Sequence, residues 1–174
     1  MKNSQKGNLL FLLLIILTLI ATGCSSVKPN KDVGNNDSEN EAVPAPTFEL
    51  MDLSDTKISL EDLKGKYVVL NFWQTTCPYC VKGMPDLNKL HEDYKESDVV
   101  VIGVNIGEDM EKIIDFAQKE NISFTILLDP SGKTAHSYSV RGLPTTYFID
   151  DKGFIYDAHI GPLNYNQLVD IIEK

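Results

Sequence analysis

Cys77-Pro78-Tyr79-Cys80 carries the plainest chemistry in the sequence. Two cysteines at this spacing fall one helical turn apart, so one sulfur can attack a mixed disulfide formed on the other. Pro78 suits the first helical position, where its missing N–H costs nothing and its fixed φ is already helical. That places Cys77 at a helix N-terminus. Free N–H groups and the positive end of the dipole there favour an anionic sulfur, so the Cys77 thiolate should form near neutral pH. In such a pair the first cysteine is exposed and the second sheltered, which assigns Cys77 as nucleophile and Cys80 as resolving thiol. A zinc site needs about four ligands, and this pair has no second pair. His91, His136 and His159 are scattered along the chain, so no metal is expected.

Elements able to position such a pair surround it. Tyr67–Trp73, Val99–Ile106, Phe124–Leu128 and Thr145–Ile149 are apolar, β-branched runs that read as strands buried on both faces. Ile155–Ile160 follows the turn Asp150-Asp151-Lys152-Gly153 and reads as a hairpin partner. Leu87, Leu90 and Tyr94 share one face of a helix over 78–97. Met110, Ile113, Ile114 and Ala117 do so over 109–120, and Leu168, Ile171 and Ile172 near the C-terminus. Ser59 with Asp62 resembles a short capping box. Strands and helices in this order predict an α/β sandwich with a mixed sheet flanked by helices. A Cys-x-x-Cys after a strand and opening a helix is a strong signal in that setting. Gly132-Lys133-Thr134 imitates a phosphate loop, but the first glycine of that motif would fall on Leu127, so Asp129-Pro130-Ser131-Gly132 reads as a turn. A second chemical feature is Gly142-Leu143-Pro144-Thr145-Thr146, with a proline at a strand's start, where no ladder N–H is needed. A cis bond before Pro144 would present the Leu143 backbone to a ligand.

The N-terminal part reads as an address. Lys2 and Lys6 precede an apolar run from Leu9 to Ile20 that is too short for a stable membrane span, and small residues follow up to Cys24. Ala21-Thr22-Gly23-Cys24 resembles a bacterial lipoprotein signal, with Ala at position 21 where that pattern more often has Leu. The resemblance makes residues 1–23 a signal peptide and Cys24 a lipidation site, not a redox group. Residues 24–46 are polar, with Pro29, Pro44 and Pro46, and read as a flexible tether, leaving 47–174 as the folded domain. The net charge is −9, and Lys2 and Lys6 are the sole charges of the first 23 residues, so the remainder carries −11. A body that acidic is a poor match for nucleic acid.

Asn71-Phe72-Trp73, the Cys77–Cys80 motif, Met84-Pro85 and Gly142–Thr146 together resemble the thioredoxin superfamily. More closely, they are similar to the extracytoplasmic TlpA/ResA-like thiol-disulfide oxidoreductases, and the similarity spans about residues 46–174. The resemblance implies a thioredoxin-like sandwich with an N-terminal extension and a βα insertion around 109–120. It implies a redox-active Cys77–Cys80 disulfide, a cis Leu143–Pro144 bond facing it, a kink at Pro85, and support from Trp73, Pro78, Tyr79 and Leu143. Three departures stand out. Thr76 replaces the usual Trp before the first cysteine, Asn71 stands where thioredoxins have a buried aspartate, and Gly83 where several cytochrome-maturation members have glutamate. Both customary proton-accepting carboxylates are therefore missing, and another acceptor, such as water, must take the Cys80 proton.

The expectation is a monomeric protein-disulfide oxidoreductase, lipid-anchored outside the cell membrane, that reduces disulfides of partner proteins. No cofactor is expected, so electrons would come from a membrane thiol donor. Disulfide oxidase or isomerase activity would use the same residues. A thiol peroxidase would need Thr and Pro where Gln74 and Leu70 precede Cys77. A copper-binding module on the same fold would draw on His136.

Overall fold

The computed structural model describes residues 43–174. The expected signal peptide, Cys24 and most of the tether lie outside the described residues. The strands are β1 (Val43–Pro44), β2 (Glu49–Asp52), β3 (Lys57–Ser59), β4 (Tyr67–Trp73), β5 (Val99–Ile106), β6 (Thr125–Asp129), β7 (Thr145–Ile149) and β8 (Phe154–Ile160). The helices are α1 (Pro78–Tyr94), α2 (Met110–Lys119), α3 (Lys133–Ser137) and α4 (Tyr165–Ile172). One sheet runs in the order β1-β8-β7-β4-β5-β6-β2-β3. β4, β5 and β6 are parallel, and the strands outside them pair antiparallel. This is the thioredoxin-like α/β sandwich.

The continuous apolar strands follow from burial of both sheet faces. Along β4 the side chains alternate between two cores. Val69 and Trp73 pack with Met84, Leu87 and Leu90 of α1, Ile113 of α2 and Leu168 of α4. Val68, Leu70 and Phe72 pack on the other face with Ala135 and Tyr138 of the α3 region and with Phe48 and Leu60 of the N-terminal extension. The central strand is thus covered twice, and its outer end opens directly into the dithiol motif.

The predicted hairpin forms between β7 and β8. Gly153 takes a positive φ of 89° at the turn, and the Phe154 N–H donates to Asp150 Oδ1 at 2.8 Å. Ser59 and Asp62 bond reciprocally around a single 3-10 turn, Glu61–Leu63. Gly132 adopts a φ of 68° in a turn closed by its N–H on Asp129 O, which disposes of the phosphate-loop likeness.

The sequence pattern did not mark β1, β2 and β3. They are short, and their outward side chains break the apolar runs. β1 also precedes the expected domain start at residue 47: Val43 and Pro44 pair with Ile155 and Phe154, and Ala45 is buried. Pairing to the β8 edge orders a stretch whose composition reads as linker.

Candidate active site

The dithiol sits where β4 hands over to α1. Cys77 is the N-cap of α1, in extended conformation, and Pro78 is the first helical residue. The Cys77 sulfur accepts the Cys80 N–H at 3.1 Å, one of the donors a helix start leaves without a partner. The same geometry serves a thiolate, because an acceptor at that position strengthens as it gains charge. Cys77 and Cys80 are joined as a disulfide, with their Cα atoms 5.2 Å apart. Cys77 is partly exposed, whereas Cys80 is 2% exposed and packed in the α1-side core. Pro78 and Tyr79 are exposed, Tyr79 at 64%. A sulfur able to meet a macromolecular disulfide therefore lies beside one that cannot.

The second motif converges on the first. The Leu143–Pro144 bond is cis. Pro144 lines a cavity of about 10 Å³ together with Asn71, Cys80, Gly83, Thr146 and Leu163. That volume has room for about one water. Pro144 O accepts the Gly161 N–H at 2.8 Å, and Thr145 Oγ1 donates to Gly142 O at 2.7 Å, so both sides of the proline loop are tied down. Leu143 packs partly buried between the two cores. Ile160, 68% exposed at the end of β8, lies against this loop: a Cβ on Gly142 would stand 3.7 Å from its side chain.

Behind Cys80 the environment is polar but not acidic. Asn71 is 4% exposed and donates from Nδ2 to Thr146 Oγ1 at 2.8 Å. Gly83 is buried, and a Cβ there would find its nearest neighbour, Leu163 O, at 4.0 Å. Neither group titrates, so the cavity beside Cys80 offers hydrogen-bonding amide and hydroxyl groups rather than a carboxylate.

Trp73 is fully buried four residues before Cys77, packed against Phe116 with ring centroids 5.3 Å apart and the rings tilted by 39°. Pro85 lies inside α1, which runs unbroken from Pro78 to Tyr94. His136 is exposed on α3, whose buried residues pack on the sheet face opposite Cys80. Among the described residues, no three His, Cys, Asp or Glu side chains converge as metal ligands would.

A polar cluster that sequence reasoning missed borders the site. Glu108, in the β5–α2 connection, has a side chain 6% exposed. Its carboxylate accepts the Thr75 N–H at 2.7 Å, Thr75 Oγ1 at 2.7 Å, Asn105 Nδ2 at 2.8 Å and Lys112 Nζ at 2.6 Å. Burial pushes this carboxyl up, but the bonds from Lys112, Asn105 and Thr75 outweigh it and hold the pKa at about 2. Gln74 Nε2 donates to Ile106 O at 2.8 Å beside it. The available signal was a glutamate beside a glycine after a buried strand, which says nothing about a partner 33 residues away.

The comparisons agree with this geometry. The AhpC/TSA family matches residues 42–158. A thiol-disulfide oxidoreductase ResA of Bacillus cereus is 34% identical, over 98% of each chain. The crystal structure of StoA from Bacillus subtilis superposes with a TM-score of 0.65 at 28% identity, covering 74% of this chain and 97% of StoA. The pneumococcal exposed lipoprotein thioredoxin Etrx1 from Streptococcus pneumoniae strain TIGR4 gives a TM-score of 0.63 at 30% identity, covering 74% and 98%. With a linked Cys77–Cys80 pair at a helix start on a thioredoxin-like sheet, the chain belongs to the AhpC/TSA family and is a thiol-disulfide oxidoreductase of the ResA/StoA type.

Proposed function

We propose that this protein is a membrane-tethered reductase of disulfides in extracytoplasmic partner proteins, with Cys77 as nucleophile and Cys80 as resolving thiol. The reduced Cys77 thiolate attacks one sulfur of the partner's disulfide. That bond breaks, the displaced partner sulfur leaves as thiolate and takes a proton, and a mixed disulfide joins Cys77 to the partner. Cys80 gives its proton to water in the cavity lined by Asn71 and Thr146 and attacks the Cys77 sulfur. The partner's second thiol is released, the Cys77–Cys80 disulfide forms, and the partner has gained two electrons. A membrane thiol donor restores the dithiol. Lipidation at Cys24 and the polar stretch 24–46 would hold residues 47–174 at the outer face, in keeping with the exposed lipoprotein character of the pneumococcal relative. Among the described residues no helix is long and apolar enough to cross a membrane.

The observation that carries the reading is the asymmetry of the pair: Cys77 accessible at the helix start, Cys80 buried one turn on. The test is Cys80→Ser in the full chain. Without a resolving thiol, the partner should remain covalently attached to Cys77 and be identifiable after non-reducing separation. Failure to accumulate any dithiothreitol-sensitive adduct would refute the assignment. The direction of flux is tested by the midpoint potential. A value near thioredoxin's, about −270 mV, fits a reductase, while one near about −120 mV would make the protein an oxidant.

A further inference from the structure

We propose that Glu108 is a positioning residue for the thiol chemistry: it acts on Cys77 through Thr75, by holding the turn Gln74–Cys77 that keeps the Cys77 sulfur over the start of α1. That turn is closed by the Cys77 N–H on Gln74 O at 3.2 Å. Thr75 is its first inner residue, and the Glu108 carboxylate takes both the Thr75 N–H and the Thr75 hydroxyl, each at 2.7 Å. The Gln74 side chain grips Ile106 O at 2.8 Å, so one bond runs from the turn to the end of β5 and two run to the β5–α2 connection.

Helix capping alone does not account for this arrangement. An acidic side chain at a helix start ordinarily serves its own helix. Here Asp109 is the N-cap of α2 and makes no capping bond, while Glu108 is turned toward the strand end that carries the dithiol. Placing a carboxylate at 6% exposure is costly unless its lone pairs are filled, and four donors fill them.

The link to Cys77 is mechanical. Its sulfur accepts the Cys80 N–H only while the Cys77 backbone stays extended, at φ −92° and ψ 106°, and that backbone is the last residue of the latched turn. A slack turn lets the sulfur leave the helix end and the thiolate lose its donor. A carboxylate acting merely as a nearby negative charge would do the opposite, since its removal would make the thiolate easier to form. The two roles therefore predict opposite signs.

The experiment is alkylation of the reduced full-length chain by iodoacetamide across roughly pH 4 to 9, which spans thiols lowered at helix N-termini and the free value of about 8.5. Labelling is read at Cys77 by peptide mass, beside the melting temperature. Glu108→Ala should move the midpoint of the profile upward and slow labelling about three-fold at about pH 6, with the plateau at high pH kept. Thr75→Val removes one hydroxyl and no charge, and should move the profile the same way by less. Thr75→Ser restores both bonds and should return the parental profile. A lower melting temperature with an unmoved profile would make the cluster purely structural and overturn the proposal, as would faster labelling of Glu108→Ala at low pH. If Glu108→Ala does not fold, Thr75→Val against Thr75→Ser decides. The proposal rests on Cys77 being the outer thiol. Labelling of Cys80 in place of Cys77 in the parent would defeat that assignment separately from anything Glu108 does.

Discussion

Two glycines receiving the same methyl group should change stability with opposite signs, because the space around them differs. Gly103 lies mid-strand in β5, and a Cβ there would stand 2.8 Å from Phe124 Cε2 and 2.9 Å from Trp73 Nε1. Both atoms belong to buried rings that move only as whole plates, and the Trp73 ring is backed by Phe116. Forcing a methyl into such a core costs about 1–3 kcal/mol. Alanine returns up to about 1 kcal/mol by restricting the unfolded chain, so Gly103→Ala should come out about 1–2 kcal/mol less stable. Gly83 lies in α1, where the nearest atom to a new Cβ is 4.0 Å away. Helix propensity alone then makes Gly83→Ala more stable by about 0.5–1 kcal/mol. The assay is guanidinium unfolding of the oxidised protein followed by fluorescence of Trp73, the one tryptophan in the sequence. The midpoint should fall for Gly103→Ala and rise for Gly83→Ala, with unchanged slopes. A Gly103→Ala midpoint at or above the parent's would show that the ring packing around β5 is not as described.

The depressed pKa of Glu108 links stability to pH. The carboxyl is held at about 2 against an ordinary 4.5, so its contribution is present in full above 4.5 and is lost as the pH falls toward 2. The half-exposed Lys112 partner reduces the gain to roughly 2 kcal/mol. Glu108→Gln should flatten that acid limb, checked by urea midpoints at about pH 6 and about pH 3. Replacing Asn164 by Ala should cost about 1 kcal/mol. It breaks the reciprocal capping box in which Gln167 N–H donates to Asn164 Oδ1 and Asn164 N–H to Gln167 Oε1, each at 3.0 Å. Since Leu163 and Leu168 line the cavity beside Cys80, Asn164→Ala should also speed amide hydrogen exchange around residues 163–168. Unchanged exchange there would mean that the cap does not hold this wall.

The main strands of the sheet, its long helices and the dithiol were legible in the sequence because each depends on local spacing. Val68–Trp73 is buried throughout and apolar except at Asn71 because both faces of β4 are covered, and Pro78 between a strand and a helical pattern places Cys77 as N-cap. Gly142–Thr146 was legible through its resemblance to a family motif. What local spacing cannot express is which separate segments meet. Asn71 finds Thr146 across 75 positions, and Thr75 finds Glu108 across 33; only the lateral order of β7, β4 and β5 brings them together. β1 is ordered by its partner on β8 and not by its own composition, so residues 43–45 read as linker until the sheet edge is in place. Periodic burial and helix-start chemistry are properties of neighbouring residues, and the chain states them directly. Closing a polar network around the nucleophile's turn is a property of the folded sheet, because its energy exists only after distant donors have been carried to one buried carboxylate.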